Sequence, residues 1–557
     1  MKMKILFRLG FILCFLIITI LLLVLILKPI FISNNIIFPY SIQKFNICEK
    51  NPTIWFNIKL LYIVFYVFAS IIISNSIFNL LFKNIKTNKD IPPYEKVDNK
   101  LKLFIGYDNN KEIYIKENGL YQNFLISGTT GSGKTSSAMY PFTKQLIAYS
   151  TPKIGMLILD VKGNFHKQVK KFCNIYDREN DLIILEIGGK YKYNPLHKPN
   201  LSPIVLANRL KTILLLFSEN NSDSYWLDKA EQAICEAIKL CRLYNNNYVN
   251  FLELHKIITD KEYYTLKISV IKELFHQNKL SEKETYGLLS ALNFFEKEFN
   301  NLDSRVLSIL KSEITRITNL FISDLDILNT FCSKNLEDLN FTGFEDVIKN
   351  KKIVVLNMNT AKHQNLSKVI ATYLKLDFQD EVLQRIENND IQTTAFICDE
   401  YHEYATINDA NFFALSREAK CINIIATQSY TSILNTLKNE YSTKVIIQNL
   451  INKLWFRTDD MFTIEEAQKQ IGKEDKIKIS KNISENSNNI NYSILINSLK
   501  SDTSGFSESV STYVQTDYIY DTNYFTKNLK TFEALGFISN GFEIIYSSRI
   551  SLVPYFK

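Results

Sequence analysis

Eight consecutive residues, Gly128-Thr129-Thr130-Gly131-Ser132-Gly133-Lys134-Thr135, have the types and spacing to hold a polyphosphate and match the full GxxxxGK[ST] pattern. Glycines let backbone N–H groups wrap a β-phosphate, Lys134 supplies a point charge to the β and γ oxygens, and the Thr135 hydroxyl can ligate Mg²⁺. Phe124, Leu125 and Ile126 make a short apolar strand that runs straight into this loop, and a helix is expected from Ser136 onward. Its N-terminal dipole would point at the same phosphates, so Gly128 through Ser136 are the expected nucleotide contacts. The loop needs an acidic partner, and Ala395-Phe396-Ile397-Cys398-Asp399-Glu400 reads as a buried strand ending in two acids. Asp399 would hold the Mg²⁺ shell through water. Glu400 would orient or deprotonate an attacking water, the arrangement of an ATP hydrolase rather than of a small-molecule kinase. ATP and Mg²⁺ are therefore the expected cofactors.

A phosphate loop and a distant pair of acids meet only if a sheet carries both. Further apolar strands are expected at Gly155 to Leu159, ending at Asp160, at Leu182 to Ile187, at Ile353 to Leu356, and at Ile422 to Ala426, ending near Gln428. They alternate with helical segments, the pattern of a parallel sheet covered by helices. Ligands bind off the carboxyl ends of such strands, so Lys134, Asp160, Asp399 and Gln428 are predicted to converge there. For Asp160 and Gln428 taken singly, capping of a loop is the competing role.

Between the two nucleotide motifs, residues 201 to 328 carry few strand signals. Trp226/Leu227, Ala230, Ala233/Ile234, Ala237/Ile238 and Cys241 recur at helical spacing, and Ser281-Glu282-Lys283-Glu284 is a capping box, so an all-helical insert is expected with these stripes as its core. Thr463-Ile464-Glu465-Glu466 opens a short helix that Gly472 can close. Half of the residues from Ser480 to Ser511 are Ser or Asn, which reads as a linker or weak hairpin. Asn540-Gly541 between Phe537 to Ser539 and Phe542 to Ile544 signals a two-residue hairpin, and Ile550 to Val553 offers a closing strand.

The chain has 557 residues, 22% charged and 46% hydrophobic, which excludes a disordered protein and exceeds one core. Its formal charge of +8 lies in residues 1 to 100, with 12 Lys/Arg against 4 Asp/Glu; the remainder carries 53 of each, so it is no bulk polycation. Eight scattered cysteines without a CxxC pair indicate neither a zinc site nor a disulfide framework. Leu9 to Leu27 and Leu60 to Phe82 are free of charge, and each is long enough to cross a hydrocarbon layer of ~30 Å. A secretory signal peptide is the rival for the first, but its apolar run is too long and no small-residue cleavage site follows. Basic residues flank the outer ends, and a nucleotide site downstream requires the cytosol, so both termini are expected inside.

Taken in order, these features resemble the coupling-protein ATPases of type IV secretion and conjugation, the TraG/TraD family, which are relatives of the FtsK/HerA ring translocases. The resemblance rests on the two spans, the Gly128 to Thr135 loop, Leu159-Asp160-Val161-Lys162-Gly163, Tyr193-Asn194-Pro195-Leu196 and the insert entered through Tyr225-Trp226. It continues through Asp399-Glu400-Tyr401-His402-Glu403, Ser416-Arg417-Glu418-Ala419-Lys420, Thr427-Gln428-Ser429 and Lys453-Leu454-Trp455-Phe456-Arg457. It implies an α/β fold: a RecA-like P-loop domain with a mainly parallel sheet, an inserted all-α domain and two N-terminal transmembrane helices. The corresponding division is a membrane anchor over 1–90, nucleotide-binding parts at 91–200 and 331–475 around an all-α domain at 201–330, a linker or hairpin at 476–515 and a β-rich return at 516–557.

Functionally the resemblance implies a hexamer in the bacterial inner membrane. It would recruit a relaxase bound to single-stranded DNA, or protein cargo, and drive it into the secretion channel, so self, relaxase–DNA, channel proteins and membrane lipid are the implied partners. Arg417 matches the family's arginine that reaches the neighbouring subunit's nucleotide, Arg457 is a second candidate, and Gln428 would sense the γ-phosphate. Two departures stand out: Asn164 replaces the acid often found after the Lys-Gly pair, and the chain lacks the long acidic tail of some members. The competing functions are a substrate receptor with little motor activity and an FtsK/HerA-like translocase of double-stranded DNA. The latter is disfavoured because no winged-helix domain is evident after residue 510. An ABC transporter subunit is disfavoured because no LSGGQ-like stretch occurs.

Overall fold

The structure, a computed structural model, describes residues 101–556 except 218–223, 278, 359, 388–390 and 486–505, together with positions 53, 57, 60, 61 and 64. The chain divides into two compact units, Met1–Lys96 and Val97–Lys557. Both expected membrane spans fall outside the described residues apart from Leu60, Leu61 and Val64, which are helical and exposed. Among the described residues no helix is long and apolar enough to cross a membrane.

The second unit is built on an eleven-stranded sheet, counted among the described residues. In chain order its strands are β1 (Lys102–Asp108), β2 (Lys111–Lys116), β3 (Phe124–Ser127), β4 (Gly155–Asp160), β5 (Leu182–Leu185), β6 (Ile353–Asn357), β7 (Thr394–Cys398), β8 (Cys421–Thr427) and β9 (Asn452–Phe456). β10 (Lys473–Glu485) and β11 (Phe506–Tyr518) pair separately, and β12 (Glu533–Ser539) and β13 (Ile544–Ser551) rejoin the main sheet. The spatial order is β2-β1-β13-β12-β9-β3-β8-β7-β4-β6-β5. From β9 to β5 every pairing is parallel, and from β9 to β2 every pairing is antiparallel.

The parallel strands read as unbroken apolar runs because both faces are covered. Leu125, Leu157, Leu159, Phe396, Ile425 and Trp455 face one core cluster. Their alternating neighbours Phe124, Ile126, Met156, Ile158, Ile397, Ile424 and Leu454 face the other. The second core is closed by the helices Tyr140–Ala148 and Phe165–Ile175 and by β1 and β2. The first is continuous with a helical insertion running from Pro203–Phe217 to Leu325–Phe331, whose stripe of Ala230, Ala233, Ile234, Ala237, Ile238 and Cys241 is fully buried. Ser281 makes the reciprocal capping box with Glu284.

Three local expectations shift. Asp460, not Thr463, caps the helix Met461–Ile471: its carboxylate accepts from the Thr463 amide and from the Thr463 hydroxyl, which places Thr463 inside the first turn. Gly472 closes the same helix with a positive φ. The β12–β13 loop spans Asn540 to Glu543 rather than two residues, because the Asn540 carboxamide accepts from the Phe542 and Glu543 amides and widens the turn. The strand beyond it is then one element, β13, where two were expected. β1 and β2, which were not among the expected strands, form a hairpin turned at Asn109 and Asn110, both at positive φ, and join the sheet only through β13.

Candidate nucleotide site

The phosphate loop leaves β3 at the centre of the sheet, flanked by β8 and β9 in register, with Ser127 opposite both Thr427 and Trp455. It is held by its neighbours' strand ends: the Gly128 amide donates to the Gln428 carbonyl at 3.2 Å, and Thr129 donates from its amide and its hydroxyl to the Arg457 carbonyl at 2.9 and 3.1 Å. Gly131 and Gly133 take φ of 80° and 101°, the left-handed region that favours glycine. At Gly133 a Cβ would also lie 2.6 Å from the Phe532 ring. The Lys134 ammonium reaches back across the loop to the carbonyls of Gly128 and Thr129. Burial lowers its pKa, against the charges of Glu400 and Asp399.

β7 delivers the acids. The Thr135 hydroxyl donates to Asp399 Oδ2 at 2.9 Å, so the two expected Mg²⁺ ligands, 264 residues apart in sequence, are in contact. This hard-oxygen pair beside the loop fits a magnesium ion. Burial, then the neighbouring Glu400 charge, pushes the Asp399 carboxyl up, opposed by Lys162, Thr135 and Lys134.

Glu400 sits in the left-handed region, φ 55° and ψ 49°, an unusual backbone for this residue. The turn after it is over-determined. Asp409 accepts from the Tyr401 hydroxyl at 2.6 Å, the Thr406 amide at 2.9 Å and the fully buried Lys375 ammonium at 2.6 Å. Glu400 Oε1 pairs with Lys162 at 2.5 Å, whereas Oε2 is buried without a hydrogen-bond donor among the described residues, 3.8 Å from His402 Nδ1. Burial acts to raise the Glu400 carboxyl, but the Lys162 bond and charge and the Lys134 charge outweigh it and hold the acid below its usual value.

Lys162 is the functional residue that sequence reasoning passed over. It follows β4, and β4 lies beside β7, so residues just past the two strands adjoin. That adjacency depends on strand order, which no local pattern carries. Two contacts of the phosphate loop with Phe532 and Tyr555 were likewise missed: the Phe532 amide donates to the Ser132 carbonyl at 3.1 Å and the Tyr555 amide to the Ser136 carbonyl at 2.9 Å.

The remaining predicted residues divide. Asp160 ends β4 on the same rim, but its carboxylate is engaged by the amides of Gly163, Asn164 and His166 and by His166 Nδ1, so it caps the following turn and does not join the phosphate loop. Gln428 follows β8 directly, with its side chain exposed. Arg457 follows β9 beside the loop and is also exposed. Arg417 is at the other rim. It precedes β8, is exposed, and donates to the Gly541 carbonyl, which also accepts from Gln122 just ahead of β3. The length of β8, about 20 Å, separates it from the phosphate loop of its own chain. Behind it, Ser416, Asn123 and Asn423 form a buried hydrogen-bonded cluster that fixes the turn.

Comparison with known proteins agrees with this architecture. A family model described as the central domain of helicase HerA matches residues 103–376, and one described as a type IV secretion-system coupling protein DNA-binding domain matches residues 315–506. Among solved structures, the bacterial conjugative coupling protein TrwBdeltaN70 in its unbound monoclinic form aligns with a TM-score of 0.51 at 13% identity, covering 79% of this chain and 87% of that one. The plasmid coupling protein TrwB in complex with ADP and Mg²⁺ aligns with a TM-score of 0.53 at 12% identity, covering 82% and 91%. At such identities the likeness is one of fold. No curated protein matches the sequence.

Proposed function

Because the chain belongs to the type IV secretion-system coupling proteins of the FtsK/HerA P-loop superfamily, we propose that it is a membrane-anchored, hexameric ATPase that drives a relaxase–single-stranded DNA complex, or a protein, into a secretion channel. The observation that carries the ATPase reading is the contact of Thr135 with Asp399 beside a complete phosphate loop. Thr135 and Asp399 would hold Mg²⁺, which when bound neutralises charge on the β- and γ-phosphate oxygens. Lys134 would leave the loop carbonyls for those same oxygens. Glu400, ionised and clamped through Oε1, offers Oε2 to orient the attacking water.

Gln428, at the end of the strand beside the loop, would report the γ-phosphate to β8. Arg417, too far from its own loop, would serve a neighbour's, where a trans arginine stabilises charge developing in transfer. That requirement is the reason to propose a ring. Residues 1–90 would anchor it in the inner membrane with the ATPase on the cytoplasmic side, and the helical insertion would be its all-α domain. The full-length protein in detergent is expected to hydrolyse ATP, to respond to single-stranded DNA in a salt-sensitive way, and to lose turnover on Lys134→Ala. Turnover undiminished by Lys134→Ala rejects the reading, and wild-type binding of ATP without turnover favours a receptor.

A further inference from the structure

The phosphate loop has two flanks, and only one is accounted for by the acids. On the other, the residue ahead of β12 and the segment after β13 lie against the loop's own backbone: the Phe532 amide donates to the Ser132 carbonyl, the Tyr555 amide to the Ser136 carbonyl, and the Leu552 amide ties back to the Phe532 carbonyl at 2.8 Å. The segment is aromatic. Tyr555 packs edge-on to the buried Tyr140, ring centroids 5.0 Å apart, and Phe556 lies 5.4 Å from Tyr555 and 6.0 Å from Phe532. Phe532 adopts φ 69°, a costly conformation for a bulky residue, and its ring occupies the space a side chain on Gly133 would need.

Although most large aromatic side chains of the sheet domain are buried, Tyr555 is 40% and Phe556 61% exposed. The loop itself gives the polarity of any nucleotide. Lys134, Asp399 and Glu400 mark the γ-phosphate side, so the α-phosphate and the nucleoside beyond it leave by the opposite flank. Exposed aromatic faces there have the chemistry to stack a base, and stacking tolerates any base because each has a π-face.

We propose that Phe532, Tyr555 and Phe556 form an aromatic shelf that takes the nucleobase of the bound nucleotide. The inference rests on the nucleotide reading above and deepens it. The shelf selects nucleotides over inorganic polyphosphates and does little to distinguish purines from one another.

The test compares ADP with inorganic tripolyphosphate, which shares the phosphates and lacks a base, by calorimetry on the full-length protein and on Phe556→Ala. The expected result is a loss of about 10-fold in ADP affinity with tripolyphosphate affinity unchanged. Phe556→Trp should restore ADP binding, and its added tryptophan emission should be quenched by ADP and not by tripolyphosphate. Equal losses for both ligands, or no loss for either, overturns the shelf. Wild-type protein that binds neither ligand overturns the nucleotide reading and the shelf with it, whereas wild-type protein that binds both alongside an undiscriminating variant overturns the shelf alone.

Discussion

The two rims of the parallel sheet treat charge in opposite ways. At the carboxyl rim Lys134, Asp399 and Glu400 are buried and mutually compensated, with Lys162 pairing Glu400 and Thr135 bonding Asp399. At the amino rim Arg417 is exposed, and its hydrogen bond to Gly541 is long, 3.4 Å, although the turn behind it is locked by Asn123, Ser416 and Asn423. A preorganised site lowers the cost of stabilising charge within one chain, and an exposed arginine on a rigid turn is suited to acting on another. On the proposed reading, the difference would separate residues whose effects are intramolecular from those that require assembly.

The comparison would break most visibly at Arg417. Arg417→Ala is expected to reduce turnover about 10³-fold in the assembled protein while leaving nucleotide affinity of dilute protein unchanged. Equal turnover in variant and wild type would remove the distinction between the rims. Glu400→Gln should cost about 10²- to 10³-fold in turnover with nucleotide affinity retained, as single-turnover and binding measurements together would reveal. A loss confined to affinity would contradict its position.

Lys162→Met sharpens the picture further, because its only proposed task is to hold Glu400. It should cost about 10-fold alone and almost nothing in the Glu400→Gln background, a double-mutant cycle that independent roles would not produce.

The smallest effect concerns the sheet between the rims. Lys453 is buried in β9, and burial pushes its ammonium down to about 7. Between that value and the ordinary lysine range the unfolded chain holds a proton the folded chain has released, so stability rises with pH there. The slope should be at most about 1.4 kcal/mol per pH unit, and Lys453→Met should abolish it in chemical denaturation series above pH 7.

Much of the carboxyl rim was legible because each part is local. A GxxxxGK[ST] run between a strand and a helix, and an apolar strand ending in two acids, are patterns within about ten residues, and both emerge where expected. The helical insertion was legible from its 3.6-residue stripe, and the buried strands from runs that both covering layers require to be apolar. What escaped was relational. Asp160 had two readings, site acid or loop cap, and the structure shows the cap, its carboxylate satisfying the amides of its own turn. Lys162 looked like part of a motif, and its role emerges only beside β7. β1 and β2 needed β13, some 435 residues further on, to become part of the sheet.

From the sequence alone came the phosphate loop, its acidic strand and the α/β class, because backbone conformation and side-chain chemistry over short spans are set by neighbours in the chain. Strand order came only from tertiary structure, and with it the pairing of Lys162 with Glu400, the opposite placement of Arg417 and the aromatic segment against the loop. These depend on which distant segments bury one another's apolar faces, a choice made by the packing of the whole domain and written in no single stretch of residues.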